Sequence, residues 1–293
     1  MSNRKREAAA GLWFASPWFI GLAVFLAYPL AASMYYSFCD YSVLKPPVWI
    51  GAANYVELFH DEVFWKTVSN TAVYATMALP ISMLIGIGLA MLLNSKIKGM
   101  AFYRTIFFLP SLVPMISLAV LWLFILNSDS GVLNQALGAL HIKGPNWLGD
   151  TMWTKPALVV TGVWGVGNAM LIYLASLQDV PASLIEAADL DGANGWQKTK
   201  NVTLPMISPV ILFNLIMGII GTLQVFAVPY VMLPDGGPER SAYFYTAYLF
   251  DNAFRYNKMG FACAMGWIMF SVILILTLVS LKLSEKHVHY QGG

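Results

Sequence analysis

Charge is what this chain lacks first. Six stretches contain no Asp, Glu, Lys or Arg: Leu12 to Phe38, Thr67 to Asn94, Thr105 to Asn127, Pro156 to Gln178, Met206 to Leu233 and Met259 to Leu281. A helix needs about 20 apolar residues to cross a hydrocarbon core about 30 Å thick, and each stretch meets that length. Only 11% of the residues are charged and 58% are hydrophobic, with a mean hydropathy of +0.64. Soluble domains carry about a quarter charged residues, so a water-exposed globular fold is excluded. The expected fold is all-α, a polytopic membrane protein with six transmembrane helices; 293 residues leave room for modest loops and no large soluble domain.

Other absences narrow the chemistry. The two cysteines, Cys39 and Cys263, have no disulfide-framework, redox or zinc spacing. The net charge is +2, and the positive residues form no stripe, so nucleic acid is not an expected partner. There is no G-x-x-x-x-G-K-[ST], so any ATP that drives this chain must sit on another subunit. The spans carry no ionisable residue of the kind that proton relays use, which lowers the case for proton coupling, although backbone carbonyls of broken helices can hold sodium. Gly162, Gly165 and Gly167 lie inside the fourth span and follow no strand, so they read as close-contact glycines rather than a dinucleotide loop. His287 and His289 form an H-x-H with no third ligand nearby, which reads as a solvated tail.

The first stretch follows Arg4, Lys5 and Arg6 but exceeds the roughly 7 to 15 apolar residues of a signal peptide, and reads as a span. With the N-terminus in the cytoplasm, ten Lys and Arg fall inside, including Lys96, Lys98, Arg104, Lys198, Lys200, Lys282 and Lys286. Seven fall outside, in longer loops, so the positive-inside bias favours this orientation. Small residues at Gly86, Gly88, Gly218, Gly221, Ala262 and Gly266 are expected where helices approach closely in lipid. Pro110 and Pro114 are expected to kink the third span.

The most polar stretch on the expected cytoplasmic side runs from Leu177 to Val210. Pro181 stops the preceding helix, Ser183 is a candidate N-cap, and Glu186 three residues later would complete an S-x-x-E capping box. A short helix is expected from about Leu184 to Leu190, ended by Asp191 and by Gly192 at the left-handed position. A second, around Trp196 to Val202, leads through Thr203, Leu204 and Pro205 into the fifth span, making an elbow. Asp189 sits near the C-terminal end of the first helix, where the helix dipole disfavours an anion by a few tenths of a kcal/mol, a placement that gives a purely structural loop nothing. Ala187, Ala188 and Gly192 keep one surface small enough for a partner to come close.

Glu186-Ala187-Ala188, Asp191-Gly192-Ala193 and Thr203-Leu204-Pro205 resemble, in residues and spacing, the EAA loop of binding-protein-dependent ABC importer permeases. The likeness covers nearly the whole chain and is closest to the first permease subunit of the carbohydrate (maltose-type) group. Tyr28-Pro29, Ser37-Phe38, Asn54-Tyr55, Asn70-Thr71, Arg104-Thr105 and Pro110 carry it early; Asn146-Trp147-Leu148, Trp164, Leu177-Gln178 and Gly236-Gly237-Pro238 carry it late. One departure is that Phe226 is followed by Ala227 where the family often has Phe-Asp, in a segment one residue longer.

The resemblance implies a coupling helix bearing Glu186, Ala187, Ala188, Asp191 and Gly192 that seats on a cytoplasmic ATPase. It implies as partners a second homologous permease, two ATPase subunits that hold ATP and Mg, an extracytoplasmic sugar-binding protein and membrane lipid, with no cofactor in this chain. The expected layout is a cytoplasmic tail at 1–11, a transmembrane domain at 12–283 with its coupling loop at 179–205, and a cytoplasmic tail at 284–293, in a bacterial or archaeal inner membrane.

A neutral sugar needs hydrogen-bonding groups and aromatic faces without net charge in a cavity near mid-membrane. Trp164 and Asn168 are one turn apart in the fourth span, and Asn214, Gly221 and Gln224 fall within about an 80° arc of the fifth. Trp164, Asn168, Asn214 and Gln224 are therefore candidate pathway residues, with helix-bridging hydrogen bonds and lipid-facing tryptophan as the bland account and Met217 as a contact residue. Two other classes fit the composition: a gradient-driven carrier or channel, and a membrane enzyme, for which only unpaired acids such as Asp61, Glu62 and Asp150 are available.

Overall fold

The computed structural model describes residues 3–95 and 97–285. Lys96, Lys286, His287 and His289 lie outside the described residues, and with them most of the expected C-terminal tail. Four helical stretches are long and apolar enough to be spans: Ala10–Tyr36, Glu62–Leu93, Ser208–Met232 and Met259–Ser284. The other two crossings are each a bent pair, Met100–Leu112 with Met115–Ile125 at 99° and Thr151–Trp164 with Gly167–Gln178 at 50°. Six spans are thus available, two of them broken.

In chain order the helices begin with α1 (Asn3–Leu22), α2 (Tyr28–Tyr36), α3 (Ala53–His60) and α4 (Glu62–Leu93). Proline chemistry explains the sharper break, which follows them. α5 (Met100–Phe108) runs into a 3₁₀ turn at Leu109–Leu112, Val113 is extended at ψ 126°, and α6 (Met115–Ile125) starts after Pro114. Pro114 both lacks an N–H and pushes the residue before it out of the helical region, so the expected kink is a full break. Beyond it come α7 (Val132–Ala139), α8 (Thr151–Trp164), α9 (Gly167–Gln178), α10 (Ala182–Leu190), α11 (Gly195–Lys198) and α12 (Leu204–Met206). The last four are α13 (Ser208–Leu223), α14 (Ala227–Met232), α15 (Tyr245–Phe250) and α16 (Met259–Ser284). π turns at Ala23–Ala27 and Thr199–Thr203 stand just before Pro29 and Pro205, where each proline leaves a helical carbonyl without its donor.

The chain divides into two compact units. One comprises the residues up to Glu62 together with Leu249–Ser271. Here an antiparallel hairpin, β1 (Cys39–Ser42) and β2 (Lys45–Trp49), departs from the purely helical expectation. Pro46 and Pro47 are tolerated because a two-stranded ribbon has only edges. Asn54 of α3 fixes the hairpin root, donating Nδ2 to the carbonyls of Ser37 and Cys39 at 2.9 Å each, while the Tyr55 hydroxyl donates to Ser37 Oγ at 2.9 Å. A glycine at position 260 lets α16 lie on the Tyr36 and Cys39 carbonyls.

The other unit comprises Val63–Tyr248 and the stretch from Val272 onward. One buried cluster gathers Tyr74, Trp122, Leu126, Leu158, Met232 and Phe244; a second gathers Leu93, Met170, Tyr173, Leu174, Leu177 and Ile207. The Gly236-Gly237-Pro238 loop is strained: Asp235, Gly236, Gly237, Glu239 and Arg240 all have positive φ. Asn70 clamps it, donating Nδ2 to the carbonyls of Arg240 at 2.8 Å and Tyr243 at 3.1 Å, and Thr71 Oγ1 accepts from the Tyr245 N–H at 3.0 Å.

Of the glycines expected at close approaches, Gly86 lies against Tyr173 and Val166, and Gly218 lies against Leu79. Gly88 and Gly221 have open space where a Cβ would be, so they are not contact positions among the described residues. A Cβ on Gly167 would come within 2.7 Å of the Phe107 carbonyl and 2.9 Å of Phe108 Cα, so the start of α9 rests on the end of α5. Gly165 instead closes α8, its N–H donating to the Gly162 carbonyl at 3.1 Å.

Candidate functional site

The elbow between the fourth and fifth spans is built from local rules. α10 starts at Ala182, with Pro181 in the cap position and no side chain capping it. The expected Ser183–Glu186 capping box is therefore absent: Pro181 already sets the entry backbone, and Ser183 falls inside the first turn. Glu186 is exposed, with no hydrogen-bond or ion-pair partner among the described residues. The helix ends as expected. Gly192 sits at φ +76°, its N–H donates to the Asp189 carbonyl at 3.1 Å, and the Ala193 N–H reaches back to the Ala188 carbonyl at 2.9 Å. That paired closure is the Schellman motif, and it needs a residue free to take the left-handed backbone.

The capping box lies on the second helix instead. Gln197 N–H donates to Asn194 Oδ1 at 2.9 Å, and Asn194 N–H donates to Gln197 Oε1 at 2.8 Å. The pattern Asn194-x-x-Gln197 is a local signal of the same kind as the one expected at Ser183. Asp189 also has a structural job: Lys198 Nζ donates to its Oδ1 at 2.6 Å and ties α10 to α11. That cation offsets the unfavourable helix dipole. No residue of α10 or α11 is buried, and Leu190 is 90% and Trp196 71% exposed. The elbow is rigid at its corners and bare on its surface. Ala187, Asp191 and Gly192 are exposed with Glu186, and Ala188 is half-buried.

A cavity of about 360 Å³ lies in the same unit as the elbow. Its wall comes from α4, α9 and α13 and includes Ser82, Asn168, Tyr173, Asn214 and Met217. No charged residue lines it. Asn168 and Asn214 are thus brought to one cavity from two helices, and Asn214 donates Nδ2 to the Val210 carbonyl of its own helix at 3.0 Å. Trp164 and Gln224 are not in the wall. Trp164 ends α8 and the chain bends before Asn168, so the two do not share one continuous helix face; Trp164 packs edge-on against Trp122 with centroids 6.1 Å apart. Gln224 is the exposed C-cap of α13. Met217, expected as a contact residue, is half-exposed in the cavity wall.

Ser82 and Tyr173 carry no local mark that singles them out in the sequence. Only the tertiary arrangement brings α4 to this wall. Tyr173 and Leu177 of α9, Leu93 of α4 and Ile207 at the head of α13 share one buried cluster, with Val180 and Leu204 packed against it. The cavity wall and the two ends of the elbow therefore rest on the same core.

Three spans around a cavity that no charged residue lines, one of them broken, with a bare elbow between the fourth and fifth, fit a multi-pass membrane permease domain. The chain belongs to the binding-protein-dependent transport system inner membrane component family, whose profile matches residues 63–290. It is 37% identical to the probable ABC transporter permease protein YesP of Bacillus subtilis, over 98% of this chain and 94% of that one. It is 32% identical to the lactose transport system permease protein LacF of Rhizobium radiobacter, over 94% of each. A chain of the bacterial alginate ABC transporter, crystallised with an alginate pentasaccharide-bound periplasmic protein, superposes with a TM-score of 0.86 at 24% identity, covering 98% of both chains. At that identity the likeness establishes the fold.

Proposed function

We propose that this chain is a sugar-translocating permease subunit of an ABC importer, working by alternating access and driven by ATP that other subunits hydrolyse. The observation that carries the reading is the elbow. A loop held by a Schellman closure, a capping box and an ion pair, yet burying nothing of its own, is shaped to be covered by something else. Leu190 and Trp196 are the apolar anchors of that surface, Glu186 its unpaired charge, and Ala187, Ala188, Asp191 and Gly192 its small or polar rim. The N-terminus and this elbow then lie in the cytoplasm, where the seated partner is an ATPase holding ATP and Mg.

The family's dependence on binding proteins supports an extracytoplasmic delivery partner; a second, homologous permease closing the pathway is part of the same proposal. Sugar as cargo is supported by relatives described as lactose and as starch degradation product permeases, the latter AmyD of Thermoanaerobacterium thermosulfurigenes. The cavity lined by Asn168 and Asn214 fits that cargo: its mostly apolar wall offers two amides and the Ser82 hydroxyl, and no charge. Trp164 and Gln224, outside that wall, have no part in the proposed substrate contact.

The test is reconstitution of the complete importer in proteoliposomes. Glu186→Lys and Gly192→Leu should leave assembly in the membrane intact and ATP hydrolysis running, while sugar uptake falls by more than tenfold. Unchanged uptake in both variants would overturn the coupling assignment.

A further inference from the structure

A second cavity, of about 280 Å³, lies wholly within the unit that carries the hairpin. Asp40 and Tyr41 of β1, Asn54 and Glu57 of α3, and Lys258 and Phe261 at the entry to α16 form most of its wall, with Ile50 on the rim. An irregularity in the ladder between Asp40 and Ser42 lets two consecutive residues of β1 border one cavity, where a regular strand would turn one of them away. Asn54 is only 6% exposed and spends both Nδ2 hydrogens on the Ser37 and Cys39 carbonyls. Its Oδ1 has no hydrogen-bond partner among the described residues, yet it is not sealed from solvent, and the cavity is what Asn54 borders. Lys258 Nζ is committed to Glu57 Oε1 at 3.0 Å and lies 5.5 Å from the centre of the Phe261 ring. Asp40 is exposed, and its carboxylate has neither a hydrogen bond nor an ion pair among the described residues. Two carboxylates meet one ammonium, so one negative charge is left over.

We infer that this cavity is a socket for a basic side chain, arginine above all, of the extracytoplasmic binding protein. The inference rests on the permease reading above and names where its delivery partner docks: in that orientation the segments between the first and second spans and between the fifth and sixth both lie outside. The Asp40 carboxylate and Asn54 Oδ1 only accept hydrogen bonds, and a surplus negative charge stands with them, so the matching ligand is cationic and made only of donors. A guanidinium is planar, carries five N–H groups, pairs with a carboxylate through two of them and stacks on an aromatic surface, which Tyr41 supplies. The volume favours one side chain over an oligosaccharide, because pockets for drug-sized ligands take roughly 300–1,000 Å³.

The experiment uses the complete importer in nanodiscs and its cognate binding protein. The affinity between the two is measured for the wild type, Asp40→Asn and Asp40→Lys at low and high salt, and in a separate variant Ile50 is replaced by the photo-crosslinker benzoylphenylalanine. Asp40→Asn should weaken binding roughly tenfold and flatten its salt dependence, and Asp40→Lys should weaken it further. The melting temperature of Asp40→Asn without the binding protein should equal that of the wild type, since the carboxylate holds nothing in the fold. The crosslink from position 50 should join the binding protein beside an arginine or lysine. A lower melting temperature for Asp40→Asn would show that the carboxylate already has a partner in the protein, and would overturn the inference. Wild-type affinity in both Asp40 variants, or a crosslink that reaches only lipid or other importer subunits, would overturn it as well. A wild-type importer that neither binds the binding protein nor moves sugar with ATP present would strike the permease reading itself; a working wild type with indifferent Asp40 variants strikes this inference alone.

Discussion

The elbow and the cavity wall belong to the same unit and share a buried core, yet they are built in opposite ways. The elbow is a product of neighbours in sequence: its closures join residues no more than nine apart, from Asp189 to Lys198 at the longest. The cavity is a product of distance, with Leu79 of α4 and Gly218 of α13 in direct contact. The elbow buries nothing; the wall contains a tyrosine with no exposure at all. A surface made by local chemistry can stay rigid while bare, which is what the proposed docking role needs. A wall made by long-range contacts changes whenever its helices shift, which is what the proposed passage needs.

The largest effect should come from the elbow's corner. Gly192 has φ +76°, with open space where a Cβ would stand, so Gly192→Leu is opposed by backbone alone, at about 1–2 kcal/mol. Uptake should fall by more than tenfold with membrane abundance unchanged. A fall in abundance of the same size would mean that the elbow is a folding element, and the contrast between the two regions would fail.

Asn70→Ala probes the long-range side. It removes two bonds to the strained segment and its exit, one buried and one part-buried, at a cost of about 2 kcal/mol. Its expected signature is a lower melting temperature with the ATPase still attached. Loss of the ATPase instead would show that the two regions are not separable.

Leu190→Ser should do the reverse, leaving the melting temperature unchanged because the side chain is 90% exposed. It should weaken ATPase retention by about 2 kcal/mol, the size expected of an anchor residue. The smallest effect belongs to Lys198→Ala. An exposed ion pair contributes about 0.2–1 kcal/mol, and the difference from wild type should shrink further in high salt.

Much of this contrast is legible in the sequence, and the division follows its physics. Pro181, Gly192 and the uncharged stretches act within a few residues, so the elbow and the spans can be read directly. The box at Asn194 and Gln197 is equally local and lies one helix beyond the one expected at Ser183 and Glu186. The breaks are only half visible. Two prolines announce a disturbance in the third span, but the bend after Trp164 carries no proline, and Gly167 just beyond it meets Phe107 and Phe108, which belong to a different span. Gly86 and Gly88 look alike in sequence, as do Gly218 and Gly221; which of each pair meets a neighbour depends on where the opposing helix lies. Asp40 cannot be chosen from sequence, since nothing local says that its carboxylate ends without a partner.

The most direct measurement is sidedness of the elbow. With Cys39 and Cys263 replaced by serine, Leu190→Cys is treated with a membrane-impermeant maleimide in right-side-out cells and in inside-out vesicles, with and without bound ATPase. The account predicts labelling only in inside-out vesicles, blocked when the ATPase is seated. Labelling from the outer face, or labelling undiminished beneath a bound ATPase, would contradict it.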